Sequence, residues 1–118
     1  MNFNKNPYYF NHVRKIDEII MLMLNLNSSD LRMIDAVENL LDKLELFRIA
    51  SNKKESDLIL NYMKAVQNII HDIEYVIIND ETRTKLKDSY TDYLLSLLDL
   101  EEYEKHLNTG RNMGHFSL

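Results

Sequence analysis

The sequence predicts an all-α protein, a compact antiparallel four-helix bundle of up-down-up-down topology. Its 118 residues include two glycines and one proline, and neither type occurs from residue 8 to residue 109. Sheet-rich folds need turn residues with positive φ, which glycine mostly supplies, whereas long helices joined by short polar turns do not. Four segments carry apolar residues at helical spacing, and the short stretches between them favour antiparallel neighbours. In an alternative arrangement three helices pack together and the first helix pairs with a second subunit.

The first helix is expected over residues 7–26, and Pro7 suits its first turn, where a missing N–H costs nothing. Its main apolar stripe consists of Val13, Ile16, Ile20 and Met23. A second stripe beside it consists of Ile19, Leu22 and Leu26, extended by Met21 and Leu24. This helix therefore offers more apolar surface than one face of a bundle covers, and we expect a further surface to pack on it.

Three further helices are expected over residues 30–49, 53–78 and 80–108. The second is capped by Ser28 or Ser29, and the fourth by Asn79 or Asp80. Asn52, with Glu55 three residues later, resembles a capping box at the start of the third helix.

Helical spacing also predicts the core of these three helices. The core positions are Ile34, Val37, Leu41 and Leu44 on the second helix, Ile59, Tyr62, Val66, Ile69, Ile73 and Val76 on the third, and Leu86, Tyr90, Tyr93, Leu97 and Leu100 on the fourth, with Leu94, Leu98 and Leu107 beside them. Gly110 is expected to end the last helix. Residues 1–110 then form a single domain, and residues 111–118 a short disordered tail.

Composition argues against several classes of protein. The net charge is −5 and the sequence pI is about 5.3, and phosphate backbones attract basic surfaces, so nucleic-acid binding has no general support. Cysteine is absent, which excludes disulfides and thiolate chemistry. The apolar run at residues 19–24 is too short to cross a bilayer, which takes about 20 residues, and it lacks the features of a signal peptide. We expect a cytoplasmic protein without membrane contact. The frequent Asn, Ile and Lys have A/T-rich codons and suggest an A/T-rich genome, such as that of a low-GC bacterium or of one of its phages or plasmids.

Histidines and carboxylates are the candidate metal ligands. His71 and Glu74 lie three residues apart, and Glu102 and His106 lie four apart, so each pair shares a helix face. A di-metal bundle needs Glu-x-x-His on two helices, which this sequence lacks. Neither a Gly-x-Ser-x-Gly turn nor a glycine-rich phosphate loop occurs. We therefore predict no catalytic, cofactor-binding or metal-binding residue, and a metal-binding bundle is an alternative.

The stretch Arg111-Asn112-Met113-Gly114-His115 resembles a motif of the HEPN class of helical ribonucleases, in which four to six residues lie between an Arg and a His. Here three residues separate Arg111 from His115, and the stretch follows Gly110, so we expect it to be non-helical. The resemblance implies a HEPN-like helical enzyme as a further alternative, and no active-site residue is assigned from it.

Three groups of residues are candidates for an interaction surface. They are the aromatic cluster Tyr8, Tyr9 and Phe10; the apolar residues Ile19, Met21, Leu22 and Leu26 of the first helix; and the acidic residues Asp99, Glu101, Glu102 and Glu104 near the end of the fourth. Aromatic residues are enriched at interfaces, although a plug that closes one end of the bundle explains the cluster equally. Acid near a helix C-terminus opposes the helix dipole, which suggests either a basic partner or a solvated face.

We expect a non-enzymatic protein–protein interaction module, such as a small regulator, inhibitor, adaptor or immunity-type protein. Its partner is another protein, and the second stripe of the first helix predicts a homodimer. The alternative from a different class is a nucleic-acid-binding transcriptional regulator. Its basic residues would be Lys53, Lys54, Arg83, Lys85 and Lys87.

Overall fold

Four helices in mutual contact make up the described part of the chain. The computed structural model describes the backbone of residues 6–26, 28–78 and 86–116, and the side chains of residues 9–26, 28–76 and 86–107. The helices are α1 (Asn6–Leu26), α2 (Leu31–Ala50), α3 (Lys53–Ile78) and α4 (Lys87–Phe116), and these ranges contain no strand. The predicted all-α four-helix fold is confirmed.

Helix α3 lies at the centre of the packing. It packs closely against α4 and α2 and touches α1 at fewer points, and α1 packs mainly against α2. The predicted main stripe of α1 and the predicted core positions of α2 and α3 are all buried. On α3 this stripe runs from Ile59 to Val76, so one continuous apolar surface faces the other three helices.

The direction of α4 relative to α3 follows from contacts at both ends of the pair. Just before α3 begins, the Asn52 side-chain amide donates to the Tyr103 hydroxyl oxygen at 3.4 Å. Late in α3, the Asp72 carboxylate accepts a hydrogen bond from the Ser89 hydroxyl. The start of each helix therefore meets the second half of the other, as in antiparallel neighbours.

Two buried tyrosines tie three helices together. The Tyr62 hydroxyl on α3 donates to the Val13 carbonyl of α1 at 3.4 Å, and the Tyr93 hydroxyl on α4 donates to the Asp17 carboxylate of α1. Their ring centroids are 5.9 Å apart. Burial raises the pKa of both phenols, and Asp17 raises both further, so each stays protonated and able to donate.

The caps of α2 and α3 differ in how well the sequence predicts them. Asp30, and not Ser28 or Ser29, caps α2, since its carboxylate oxygen accepts from the Arg32 backbone N–H at 2.8 Å. All three residue types cap helices well, so composition alone does not choose between them. Asn52 caps α3 as predicted, because its side-chain oxygen accepts from the Glu55 N–H at 2.9 Å.

The bounds of α4 correct the prediction for the C-terminal region. The helix begins at Lys87, and the predicted caps Asn79 and Asp80 lie outside the described residues. It continues through Gly110 to Phe116, so residues 111–116, expected to be a flexible tail, are helical. A glycine inside a helix costs about 1 kcal/mol relative to alanine, which weakens a helix without ending it.

We expect the central stripe of α3 to dominate stability. Ile69 is fully buried there, so Ile69→Ala should lower the free energy of unfolding by about 2–5 kcal/mol, through lost burial and the cavity left behind. Leu46 on α2 is exposed, and Leu46→Ala should change it by less than about 0.5 kcal/mol. Urea unfolding followed by circular dichroism measures both, and equal effects would contradict this assignment of the core.

Candidate functional site

Two of the three residues of the predicted aromatic cluster lie in the core. Tyr9 and Phe10 are each 2% exposed, and the Tyr8 side chain lies outside the described residues. The Tyr9 ring packs against Phe10 with centroids 4.6 Å apart and against Phe47 of α2 at 5.9 Å. The prediction that Tyr9 and Phe10 belong to an exposed interaction surface is therefore wrong. The two rings close one end of the bundle, as the alternative interpretation had it.

A cavity of about 370 Å³ opens beside these rings, where the start of α1, the end of α2 and the start of α3 meet. Its lining consists of Tyr9, His12, Lys43, Leu46, Phe47, Ala50, Ser51 and Glu55. Most of these groups are apolar or aromatic, and Lys43 is the exposed cation among them. The cavity suits an apolar side chain or a small apolar ligand.

The polar groups of the cavity are electrostatically perturbed. Burial and the Lys43 ammonium lower the pKa of His12, so its imidazole is neutral at pH 7. Glu55 is 8% exposed. Burial, and then the Glu55 carboxylate, raise the pKa of Tyr9, whose buried hydroxyl has no hydrogen-bond partner among the described residues.

Three helices expose pairs of large apolar side chains, and the pair on α2 borders the cavity through Leu46. On α1, Leu22 is 45% and Leu26 60% exposed. On α2, Leu46 and Ile49 are 69% and 68% exposed, and on α4, Leu95 and Leu98 are 55% and 57% exposed. Residues three or four apart share a helix face, so each pair makes an apolar spot and not two isolated positions.

The second apolar stripe of α1 is only partly covered. Ile19 packs against the core and Met21 is half-buried, while Leu22 and Leu26 face outward. The excess apolar surface predicted for this helix is thus concentrated at its C-terminal end. The charged neighbours on the same side are Lys15 and Glu18, whose side chains lie 3.6 Å apart as an ion pair.

The four acidic residues predicted near the end of α4 point in different directions. Asp99, Glu101 and Glu102 are exposed, whereas Glu104 is partly buried. The Glu104 carboxylate lies 3.7 Å from the Arg14 guanidinium of α1. Burial raises the pKa of Glu104 and Glu101 adds to the rise, while Arg14 opposes it. Glu104 therefore belongs to the contact between α1 and α4, not to an open acidic surface.

The histidine–carboxylate pairs lie far apart. His71 and Glu74 are in the second half of α3, which packs on the start of α4 through the bond between Asp72 and Ser89. Glu102 and His106, 3.4 Å apart, are in the second half of α4. Within the described residues, no three potential ligands of the His, Cys, Asp or Glu type cluster closely enough to hold a metal ion.

The basic residues of the nucleic-acid hypothesis are also dispersed. Lys53 is paired with Asp57 at 3.2 Å, and Lys54 lies over the Tyr103 ring at 5.8 Å, both at the start of α3. Lys87 begins α4 at the opposite end of α3. Arg83 and Lys85 lie outside the described residues. The described part of this set therefore forms no single basic patch.

Sequence reasoning missed two of the exposed apolar pairs. Leu98 was predicted to flank the core, and Leu95, Leu46 and Ile49 were not singled out. The signal was present for α4: Leu95 lies about 180° around the helix from the buried Leu86, at 3.6 residues per turn. Four of the five residues at 94–98 are leucine, so the sequence alone does not show which of them face outward.

Comparison with known proteins found no match to any family model, curated protein or solved structure. Among the described helices, none combines the length and the apolar character needed to span a bilayer.

Two buried phenols allow a matched test of the site geometry. Tyr93→Phe removes a donor from the Asp17 carboxylate and should lower the free energy of unfolding by about 1–3 kcal/mol. Tyr9→Phe removes a buried hydroxyl that has no described partner, so it should be neutral or stabilising. Chemical denaturation of both variants measures this contrast. A larger loss for Tyr9→Phe would mean that its hydroxyl has a partner in solution.

Proposed function

We propose that this protein is a non-enzymatic interaction module that binds other protein surfaces, as a small regulator, inhibitor, adaptor or immunity-type protein would. The observation that carries the proposal is the set of exposed apolar pairs on α1, α2 and α4. Single exposed leucines are common on protein surfaces, but paired ones at helical spacing make patches of the kind that mark interaction sites. A cytoplasmic setting belongs to the same proposal, because a cysteine-free chain needs no oxidising compartment.

We further propose that the pair Leu22 and Leu26 on α1 is covered by a second copy of the chain. A two-fold dimer brings the same patch of both subunits together, so the patch must be compatible with itself. The charges beside this pair are Lys15 and Glu18, which neutralise each other as an ion pair. Two such faces meet without like-charge repulsion, and burial of the four leucines supplies the driving force.

A nucleic-acid-binding role has less support. The net charge is −5, and the described basic residues are divided between the two ends of α3. A metal-binding or HEPN-like enzyme is also less favoured, because His71 and Glu74 lie far from Glu102 and His106. The side chains of Arg111 and His115 lie outside the described residues.

The dimer is tested by light scattering on the purified full chain. We expect a dimer at tens of micromolar protein, and Leu22→Glu should weaken the association at least about tenfold, since it places a charge in an apolar contact. Leu46→Glu is the control, because Leu46 is an even more exposed leucine on another helix, and it should leave the association unchanged. Circular dichroism should show the same helicity for both variants. A wild-type chain that stays monomeric would exclude the dimer.

A further inference from the structure

The outward face of α4 combines leucines with acid. At 3.6 residues per turn, four carboxylates lie within about 60° of Leu95 around the helix axis. They are Asp88, Asp92, Asp99 and Glu102, and all four are exposed. Leu95 and Leu98 are exposed between them. We call this set of six residues the acidic leucine face.

Few cations within the described residues neutralise the acidic leucine face. Glu102 lies 3.4 Å from His106, but none of the described Lys, Arg or His side chains is within ion-pairing distance of Asp88, Asp92 or Asp99. Lys87 and Lys105 lie at its edge, about 80° around the helix from Leu95. The face therefore carries an excess of negative charge around its two leucines.

This charge distinguishes the acidic leucine face from the α1 pair. Two copies meeting through α4 would bring eight carboxylates together, so like-charge repulsion disfavours self-association here. Phosphate backbones and anionic lipid surfaces are disfavoured for the same reason. A basic surface that also carries apolar groups complements both the negative charge and the leucines of this face.

A shallow groove widens this surface towards α3. Its volume is about 290 Å³, and Asp92, Leu95 and Asp99 line its α4 side. On the α3 side lie Asn61 and Asn68, whose side-chain amides can donate and accept hydrogen bonds. The exposed Lys64 lies on the same side and offsets part of the negative charge, but the four carboxylates on α4 still outnumber the cations beside them. Side chains of a partner that lies along α4 can therefore enter between the two helices.

We propose that the acidic leucine face binds a basic amphipathic segment of a different protein. The carboxylates span residues 88–102, about 21 Å of helix at 1.5 Å per residue, which a partner helix of about 14 residues covers. Leucine-like side chains of the partner pack on Leu95 and Leu98, and flanking Lys or Arg side chains pair with the surrounding carboxylates. The inference rests on the proposed function as an interaction module and names the partner's chemistry for one surface.

The test uses the full chain and fluorescent 14-residue peptides made of leucine and lysine. In the first peptide leucines recur at helical spacing; a second has the same composition with the leucines scattered; a third has glutamate in place of lysine. Fluorescence anisotropy should show binding of the first peptide, weaker binding of the second and none of the third. Binding of the first should weaken as salt rises, because exposed charges are screened.

Two sets of variants locate the binding. Neutralising the face by Asp92→Asn, Asp99→Asn and Glu102→Gln, or removing its apolar centre by Leu95→Ser and Leu98→Ser, should each weaken binding about tenfold. The controls on α2 are Asp35→Asn, Glu38→Gln and Asp42→Asn, and Leu31→Ser at an exposed leucine outside the three apolar pairs and the cavity. These positions are also exposed, and the control variants should bind within about twofold of the wild type.

Several results would overturn this inference. Equal losses for the α2 and α4 variants would show attraction to net charge alone, and equal binding of the first two peptides would show that amphipathic order is irrelevant. Light scattering on the α4 variants separates this inference from the α1 dimer. If they still dimerise but the peptide does not bind, the inference fails and the proposed function stands. If they lose the dimer, α4 itself is the self-association surface.

Discussion

The buried stripe of α3 is the surface against which the other three helices pack. Its residues recur at alternating three- and four-residue steps from Ile59 to Val76, so they stay on one side of the helix for nearly its whole length. Within this apolar contact, Tyr62 on α3 bonds to α1, and its ring lies beside Tyr93, which bonds to Asp17 of α1. Apolar burial drives the association of the helices. The two hydroxyls favour one relative placement, because a buried donor without its acceptor costs about 1–3 kcal/mol.

This central packing determines which surfaces remain for binding. With α3 contacting all three neighbours, each outer helix turns one face inward and leaves the opposite face open. The open faces of α1 and α4 both carry leucines, but their charges differ: an internal Lys–Glu pair on α1 and an excess of carboxylates on α4. The proposed division of roles, self-association through α1 and a basic partner on α4, follows from that difference.

Much of the fold could be predicted because burial follows helical periodicity. The main stripe of α1 and the stripes of α2 and α3 were identified, since their residues recur at three- and four-residue steps, whereas the buried Ala65 of α3 was not. The ends of the helices were predicted less well, because the same residues are compatible with more than one helix boundary. The N-cap of α2 depended on local geometry among three adjacent candidates, and Gly110 suits a helix end but is also tolerated inside a helix.

The candidate site was harder to predict than the core. The sequence pattern of Tyr9 and Phe10 fits both an interface and a plug at one end of the bundle, and the contact of Tyr9 with Phe47 decides for the plug. The expectation that α1 has more apolar surface than the bundle covers is confirmed by the exposed side chains of Leu22 and Leu26. It followed from the two adjacent apolar stripes of α1. On α4, leucines at neighbouring positions hide the helical periodicity. The exposure of Leu95 and Leu98 is therefore known only from the packed structure.

Amide hydrogen exchange of the native protein, resolved by residue, tests most directly whether α3 organises the molecule. Amides that open only on global unfolding exchange slowest. The account predicts that these lie between Ile59 and Val76 of α3, with faster exchange on the outward face of α4 around Leu95 and Leu98. If the amides of α3 exchange as fast as those on the outward face of α4, the central position of α3 in the fold is contradicted.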